Sequence, residues 1–295
     1  MEIQNNVALA TYTSWLIGGP ADHFCRPKDV EQLREAQSWA RAKGLPITVL
    51  SGGSNVLISD QGVRGLVICL KDFAGTEMSV EGGRFRLTVK AGTGKSELLK
   101  IFLKEKLAPA LFLAGIPGDV GGGVVMNAGV AEAMVPREFT EITEWIEVLK
   151  PDGSLKTYQH GELKWSYRHS SGWEPGIITR VGIQWPHRQD PSILEQVRAA
   201  NKVRLSKQPL DMPSCGSVFV NPPGLKAAQL IDSSGLKGYT VGEAQVSTKH
   251  ANFIVNLGAA KAQDIWSVIQ HVKATVKSQK SVELQTEVVR MGDWA

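Results

Sequence analysis

Residues 115–129 read GIPGDVGGGVVMNAG, a stretch with six glycines and one charged side chain, Asp119. Glycine costs roughly 0.5–1 kcal/mol in regular structure, so this density implies backbone that lies flat against something large or crosses another backbone closely. A second stretch, VLSGGSNVLISD at 49–60, places Gly52, Gly53, Ser54 and Asn55 directly after an apolar run that reads as a strand. Consecutive N–H groups without flanking β-carbons can point the same way and form an anion-binding concavity, with a phosphate as the expected guest. Neither stretch is a G-x-G-x-x-G dinucleotide fingerprint. Gly121 to Gly123 follow no apolar strand, and no acidic residue stands at the required distance in the right context. Gly92-Thr93-Gly94-Lys95-Ser96 imitates the end of a phosphate loop but lacks its first half, and reads as a helix start with Thr93 or Ser96 as a possible cap.

Outward from these loops the chain alternates. Val30, Leu33, Ala36 and Ala40 fall at helical spacing, ITVL and GLVICL read as strands, FRLTVKAG as another strand, and KSELLKIFLKEKL as a helix. EWIEVLKPDGSLKTYQ reads as two strands joined at Pro-Asp-Gly, and GIITRVGIQW continues the strand character. PSILEQVRAANKVR is helical and stops before the proline-bearing SKQPLDMP, where a domain boundary is expected. Beyond it come AAQLIDSSG as a helix ending at Gly235, HANFIVNLG as a strand, AKAQDIWSVIQHVKATVKSQK as a long helix, and VELQTEVVRMG as a closing strand.

At 295 residues the chain exceeds one comfortable core, so two or three domains are expected. Its 42% hydrophobic content suits soluble globular domains, and no apolar run is long enough to span a membrane. The amino terminus lacks a basic segment followed by an apolar core and a cleavage site, so a cytoplasmic protein is expected. Three cysteines without a C-x-x-C pair fit reduced thiols and argue against a disulfide framework or a metal centre. A net charge of +4, spread along the chain with no aromatic-studded basic stripe, argues against nucleic acid.

Read in order, SGGSNVLISD, GIPGDVGGGVVMNAG, SYRHS, GSVFVNP, GLKG, STKHANFIVN and LQTEVV resemble the UDP-N-acetylenolpyruvoylglucosamine reductases, flavoenzymes of peptidoglycan precursor synthesis. The resemblance runs from about Thr13 to Met291. It implies an α+β fold: a two-part FAD-binding region of the PCMH or vanillyl-alcohol-oxidase type, at 1–72 and 73–204, followed by a C-terminal α/β substrate domain at 205–295. It also implies FAD as cofactor, NADPH as co-substrate, a UDP-sugar as substrate, and a monomer. The cofactor would lie against Gly52, Gly53, Ser54, Asn55, Gly115, Ile116, Pro117, Gly118, Gly122 and Asn127. Two departures stand out. After Asn127-Ala128-Gly129 the family often continues Ala-Tyr-Gly, whereas this chain has Val130-Ala131-Glu132, and the short span from Tyr167 to Ser217 places it with the subgroup lacking a long tyrosine-bearing loop.

Reducing an enolpyruvyl ether puts a hydride on the terminal methylene carbon and a proton on the carbon bearing the carboxylate, with negative charge gathering on an enolate between the two events. Preorganised charge aimed at that site is usually the largest catalytic term. By resemblance Arg168 supplies the cation, Glu287 helps to hold the enolate, and Ser217 donates the proton. In the alternating reading Gln285 and Glu287 share one strand face with Glu283, the rival carboxylate. The family commonly has glutamate where this chain has Gln285. Cys215 is the better acid, but no histidine is nominated beside it, and it reads as loop packing. Tyr167, Asn221 and Lys237 match substrate-contacting positions, and Tyr239, His250 and Asn252 match recurrent ones. Two rival readings are another FAD-dependent oxidoreductase on the same cofactor fold and a non-catalytic flavin-binding module.

Overall fold

The computed structural model describes residues 1–130 and 134–294, so Ala131 and Glu132 of the departure after Gly129 lie outside the described residues. The chain divides into two compact units, one of residues 1–3, 24–52 and 66–203, the other of residues 4–23, 53–65 and 204–295.

The first unit is built on a five-stranded antiparallel sheet in the order Thr76–Glu81, Arg84–Lys90, Ile177–Pro186, Thr143–Leu149, Leu155–Gln159. Period-two patterning places its faces: Phe85, Leu87 and Val89 are buried while Arg84 and Arg86 are exposed. Pro151-Asp152-Gly153 turns the chain between the last two strands, with Gly153 at φ +85°. The strand Ile47–Leu50 pairs in parallel with Leu66–Cys69, and the helix Val30–Ala42 buries Leu33, Ala36 and Ala40. That helix starts where Asp29 accepts the N–H of Gln32 at 2.9 Å.

The expected helix after Gly92 spans Lys95–Lys104, and its cap differs from the reading of Thr93 or Ser96: Gly94 holds that position without a side-chain bond. Thr93 is unavailable because its hydroxyl is bound to Gly75, accepting that N–H at 3.0 Å and donating to its carbonyl at 3.2 Å. The short helices Pro109–Leu113 and Val120–Val125 carry the glycine-rich segment, and the hairpin Lys164–Ser166 with His169–Ser171 leaves Tyr167 and Arg168 as a two-residue turn.

In the second unit the helix Ala262–Lys280 lays Ile265, Val268, Ile269, Val272 and Val276 into the core, the spacing of a one-sided apolar stripe. Against it stands a three-stranded antiparallel sheet of Thr240–Val241, Ala244–Val246 and Ile254–Asn256. Both carboxylate oxygens of Asp60 accept N–H groups at the helix start, Ala262 at 2.8 Å and Gln263 at 3.0 Å. Asp60→Ala therefore lowers stability by about 0.5–2 kcal/mol, a shift read as a lower Tm. An unchanged Tm would remove the cap from this account.

The strands expected over HANFIVNLG and VELQTEVVRMG are shorter than their patterns. Only Ile254–Asn256 and Val289–Met291 form strands, because residues 250–253 close a turn with Phe253 N–H on the His250 carbonyl. Val289–Met291 pairs in parallel with Val56–Ile58. Residues 282–288 keep the alternation, with Leu284 and Val288 buried and Glu283 and Gln285 exposed, but among the described residues their strand-like pairing is limited to the Phe219–Thr286 bridge. Among the described residues no helix is long and apolar enough to cross a membrane.

Candidate active site

In the first unit the two glycine-rich stretches touch. A β-carbon on Gly52 would lie 2.8 Å from the Gly118 α-carbon and 3.1 Å from the Asp119 nitrogen, so only glycine admits this approach. Gly115, Ile116 and Pro117 lead into Gly118, which sits at φ +88°. In the helix that follows, Gly121 packs on Ala91 and Gly123 on the Phe139 ring, whereas Gly122 faces open space. Among the described residues, the backbone N–H groups of Gly52, Gly53, Ser54 and Asn55 have no acceptor in the protein. Half-buried N–H groups without partners are uncommon and point to an absent acceptor. Within the first unit, the Gly52–Gly118 junction thus fits a flavin dinucleotide, with the Gly52 amide open to the diphosphate and backbone bare of side chains open to the larger body.

The same unit presents Arg168. Its backbone is left-handed, φ +57°, a conformation uncommon outside glycine and typical of residues that a fold holds in place for use. Arg168 Nη2 donates to the Gly129 carbonyl at 2.9 Å, Nη1 stands 3.5 Å from Glu138, and the guanidinium lies 4.6 Å over the Tyr167 ring. Asn127 fastens this assembly from beneath: its Nδ2 donates to Glu138 and to the Ser166 carbonyl, both at 3.0 Å, and its Oδ1 accepts from Thr140 N–H at 2.9 Å. Both hydrogens of that amide are committed inside the protein, so the side chain positions Arg168's hairpin. Glu138 was not read from the sequence. It lies outside every motif, and only the fold carries it to Arg168.

In the second unit Ser217 and Glu287 come together on adjacent extended segments. Glu287 N–H donates to the Val218 carbonyl at 2.8 Å, and Val220 N–H to the Gln285 carbonyl at 2.9 Å. Gly216, at φ +86°, turns the chain into Ser217. Asn252 clamps the next residues with its whole amide: Oδ1 accepts Phe219 N–H at 2.9 Å, Nδ2 donates to the Phe219 carbonyl at 2.8 Å, and its own carbonyl accepts Val218 N–H. Asn55 reaches the Glu287 carbonyl with Nδ2 at 3.0 Å and accepts Val289 N–H. Glu283, the rival carboxylate, is exposed and pairs with Lys277.

The remaining candidates are less committed. Cys215 is buried, and burial, with Glu287's charge adding, pushes its thiol well above the ordinary range, which fits packing. Asn221 Oδ1 accepts Ala227 N–H at 3.0 Å, Lys237 pairs with Asp232 at 2.8 Å, and Tyr167 is 47% exposed. Tyr239 stacks on His271 with centroids 3.9 Å apart. All three cysteines are free.

Residues 21–159 match the FAD binding domain family and residues 208–291 the C-terminal domain of UDP-N-acetylenolpyruvoylglucosamine reductase. Fold and cradle define an FAD-dependent oxidoreductase with a two-part cofactor region and a separate C-terminal domain. UDP-N-acetylenolpyruvoylglucosamine reductase of Moorella thermoacetica is 39% identical, covering 99% of this chain and 94% of the relative, and that of Halalkalibacterium halodurans is 40% identical over 99% and 95%. The crystal structure of the enzyme of this name from Thermus caldophilus superposes with a TM-score of 0.81 at 34% identity, covering 99% of each chain. The chain belongs to the UDP-N-acetylenolpyruvoylglucosamine reductase family.

Proposed function

We infer that the chain reduces UDP-N-acetylglucosamine enolpyruvate to UDP-N-acetylmuramate in peptidoglycan precursor synthesis. The carrying observation is similarity over 99% of the chain to enzymes of that name. When bound, FAD would supply the redox chemistry that links NADPH oxidation to reduction of the enolpyruvyl group.

The chain's own residues do the rest. Arg168, held by Gly129 and Glu138, offers a fixed guanidinium to the substrate carboxylate, where paired hydrogen bonds grip best. Glu287 stands at the enolate, and Ser217 passes its hydroxyl proton to the adjacent carbon. A serine hydroxyl is a weak acid, but an enolate is a strong base, and a hydroxyl held in line suffices. Gly52, Gly53, Ser54 and Asn55 bind the diphosphate through backbone, while Gly115 to Gly118 and Gly122 leave room for the flavin. Asn127 acts through the hairpin it supports. Tyr167, Asn221 and Lys237 border the substrate.

The working division is 1–72 and 73–204 for cofactor and 205–295 for substrate, and the start of the C-terminal family match at 208 supports its last boundary. Free, buried cysteines fit a cytoplasmic setting. The purified protein is yellow, NADPH bleaches its visible flavin bands, and UDP-N-acetylglucosamine enolpyruvate restores them. A colourless protein that takes up no FAD on reconstitution refutes this function.

A further inference from the structure

Two charges beside the cradle, buried Lys95 and half-buried Asp119, have no part in the scheme above. Lys95 opens the helix Lys95–Lys104 yet is only 4% exposed. Its ammonium has no hydrogen-bond acceptor in the protein among the described residues, and stands 5.7 Å over the Phe139 ring, the same ring that packs under Gly123. Asp119 is placed where the two glycine-rich stretches meet. Its Oδ2 accepts the Ser51 hydroxyl at 2.7 Å, its backbone nitrogen abuts Gly52, and Gly94, the residue before Lys95, forms a bridge with it. A carboxylate there is an obstacle, because a diphosphate seated at the Gly52 amide would face a like charge in a half-buried setting, where such repulsion is screened less than in bulk water.

We propose that Lys95 is a positioning residue of the cofactor cradle: its buried ammonium offsets the carboxylate of Asp119 and thereby lets the junction of the two glycine-rich stretches accept the diphosphate of FAD. This rests on the function inferred above. Burial pulls the Lys95 ammonium down to about 8, with Asp119 opposing and Arg168 reinforcing the shift. Burial likewise raises the Asp119 carboxyl, against the Ser51 hydrogen bond and the charges of Lys95 and Lys71. The Cys69 thiol also feels Asp119 but is itself raised by burial and stays neutral. The Gly94–Asp119 bridge and the Lys95 N–H on the Gly118 carbonyl at 2.9 Å hold the two residues at one junction, where the sum of their charges sets how well the cradle tolerates an anion. An ammonium without a hydrogen-bonding partner in the protein can face an incoming anion, and it offsets a nearby carboxylate only while it keeps its proton.

The test is FAD affinity of the flavin-stripped protein, measured by quenching of FAD fluorescence, for wild type, Lys95→Met, Asp119→Asn and the double variant. Lys95→Met weakens FAD by about tenfold or more, since the Asp119 carboxylate then faces the diphosphate unopposed. Asp119→Asn binds at least as tightly as wild type, and the double variant returns to within about threefold of it, the non-additivity expected of coupled residues. Wild-type affinity declines as pH rises past about 8, where Lys95 loses its proton, and Lys95→Met lacks that decline. A merely structural lysine would shift melting temperatures but would not reverse with the second substitution. If Lys95→Met fails to fold, Asp119→Asn decides: FAD affinity at or above wild type supports the proposal, and a loss overturns it. Lys95→Met with wild-type affinity overturns the proposal alone, whereas a wild type that binds no FAD overturns the inferred function as well.

Discussion

Ser217→Ala slows reoxidation of the reduced enzyme by UDP-N-acetylglucosamine enolpyruvate by about 10²–10⁴-fold, the usual contribution of a positioned proton donor, while NADPH reduces the variant at the wild-type rate. The split follows from where the residue stands. Ser217 belongs to the C-terminal segment, one residue from the carbonyl that takes Glu287 N–H. In the inferred mechanism, losing the hydroxyl removes the proton source and leaves the residues assigned to the cofactor unchanged. Stopped-flow absorbance at the flavin band separates the two half-reactions. Equal reoxidation rates for variant and wild type would transfer the proton to another donor and end Ser217's role. Cys215, buried and held neutral, is a poor substitute, so Cys215→Ala leaves the Ser217→Ala defect no worse.

Arg168→Met lowers kcat by about 10²–10³-fold, the range found when one preorganised group aimed at developing oxyanion charge is deleted. Arg168→Lys recovers little of it. The guanidinium donates to the Gly129 carbonyl, stands beside Glu138 and lies over the Tyr167 ring, three contacts that a flexible ammonium without a planar fork cannot reproduce together. The left-handed backbone at Arg168 aims the side chain, and Asn127 and Glu138 fix the hairpin and its charge, so FAD content stays at the wild-type level while turnover falls. Steady-state kinetics with flavin content measured in the same preparation checks both halves. A variant with normal kcat would place the enolate-stabilising cation elsewhere.

Much of this was legible before any coordinates. The helix Val30–Ala42, the hairpin at Pro151-Asp152-Gly153 and the helix Ala262–Lys280 follow from spacing and turn residues because their apolar faces repeat at the period of the element that buries them. The ends of strands were less legible. Patterns at 250–258 and 282–292 alternate throughout, but a strand extends only as far as a neighbour supplies hydrogen bonds, and that supply is a tertiary fact. The cap at Gly94 shows the same limit, since Thr93 was diverted to Gly75 by packing that no local rule anticipates.

By itself the sequence determined the two glycine-rich stretches, the periodic helices and the order of the motifs carrying Arg168, Ser217 and Glu287, because each is a local property of spacing and side-chain chemistry. Only the tertiary structure decided that Gly52 rests on Gly118, that Asn252 and Asn55 brace the segments bearing Ser217 and Glu287, that Glu138 stands by Arg168, and that Lys95 lies buried over the Phe139 ring. These are contacts between residues distant along the chain. Their energies depend on distance and on the exclusion of water, neither of which the order of residues specifies.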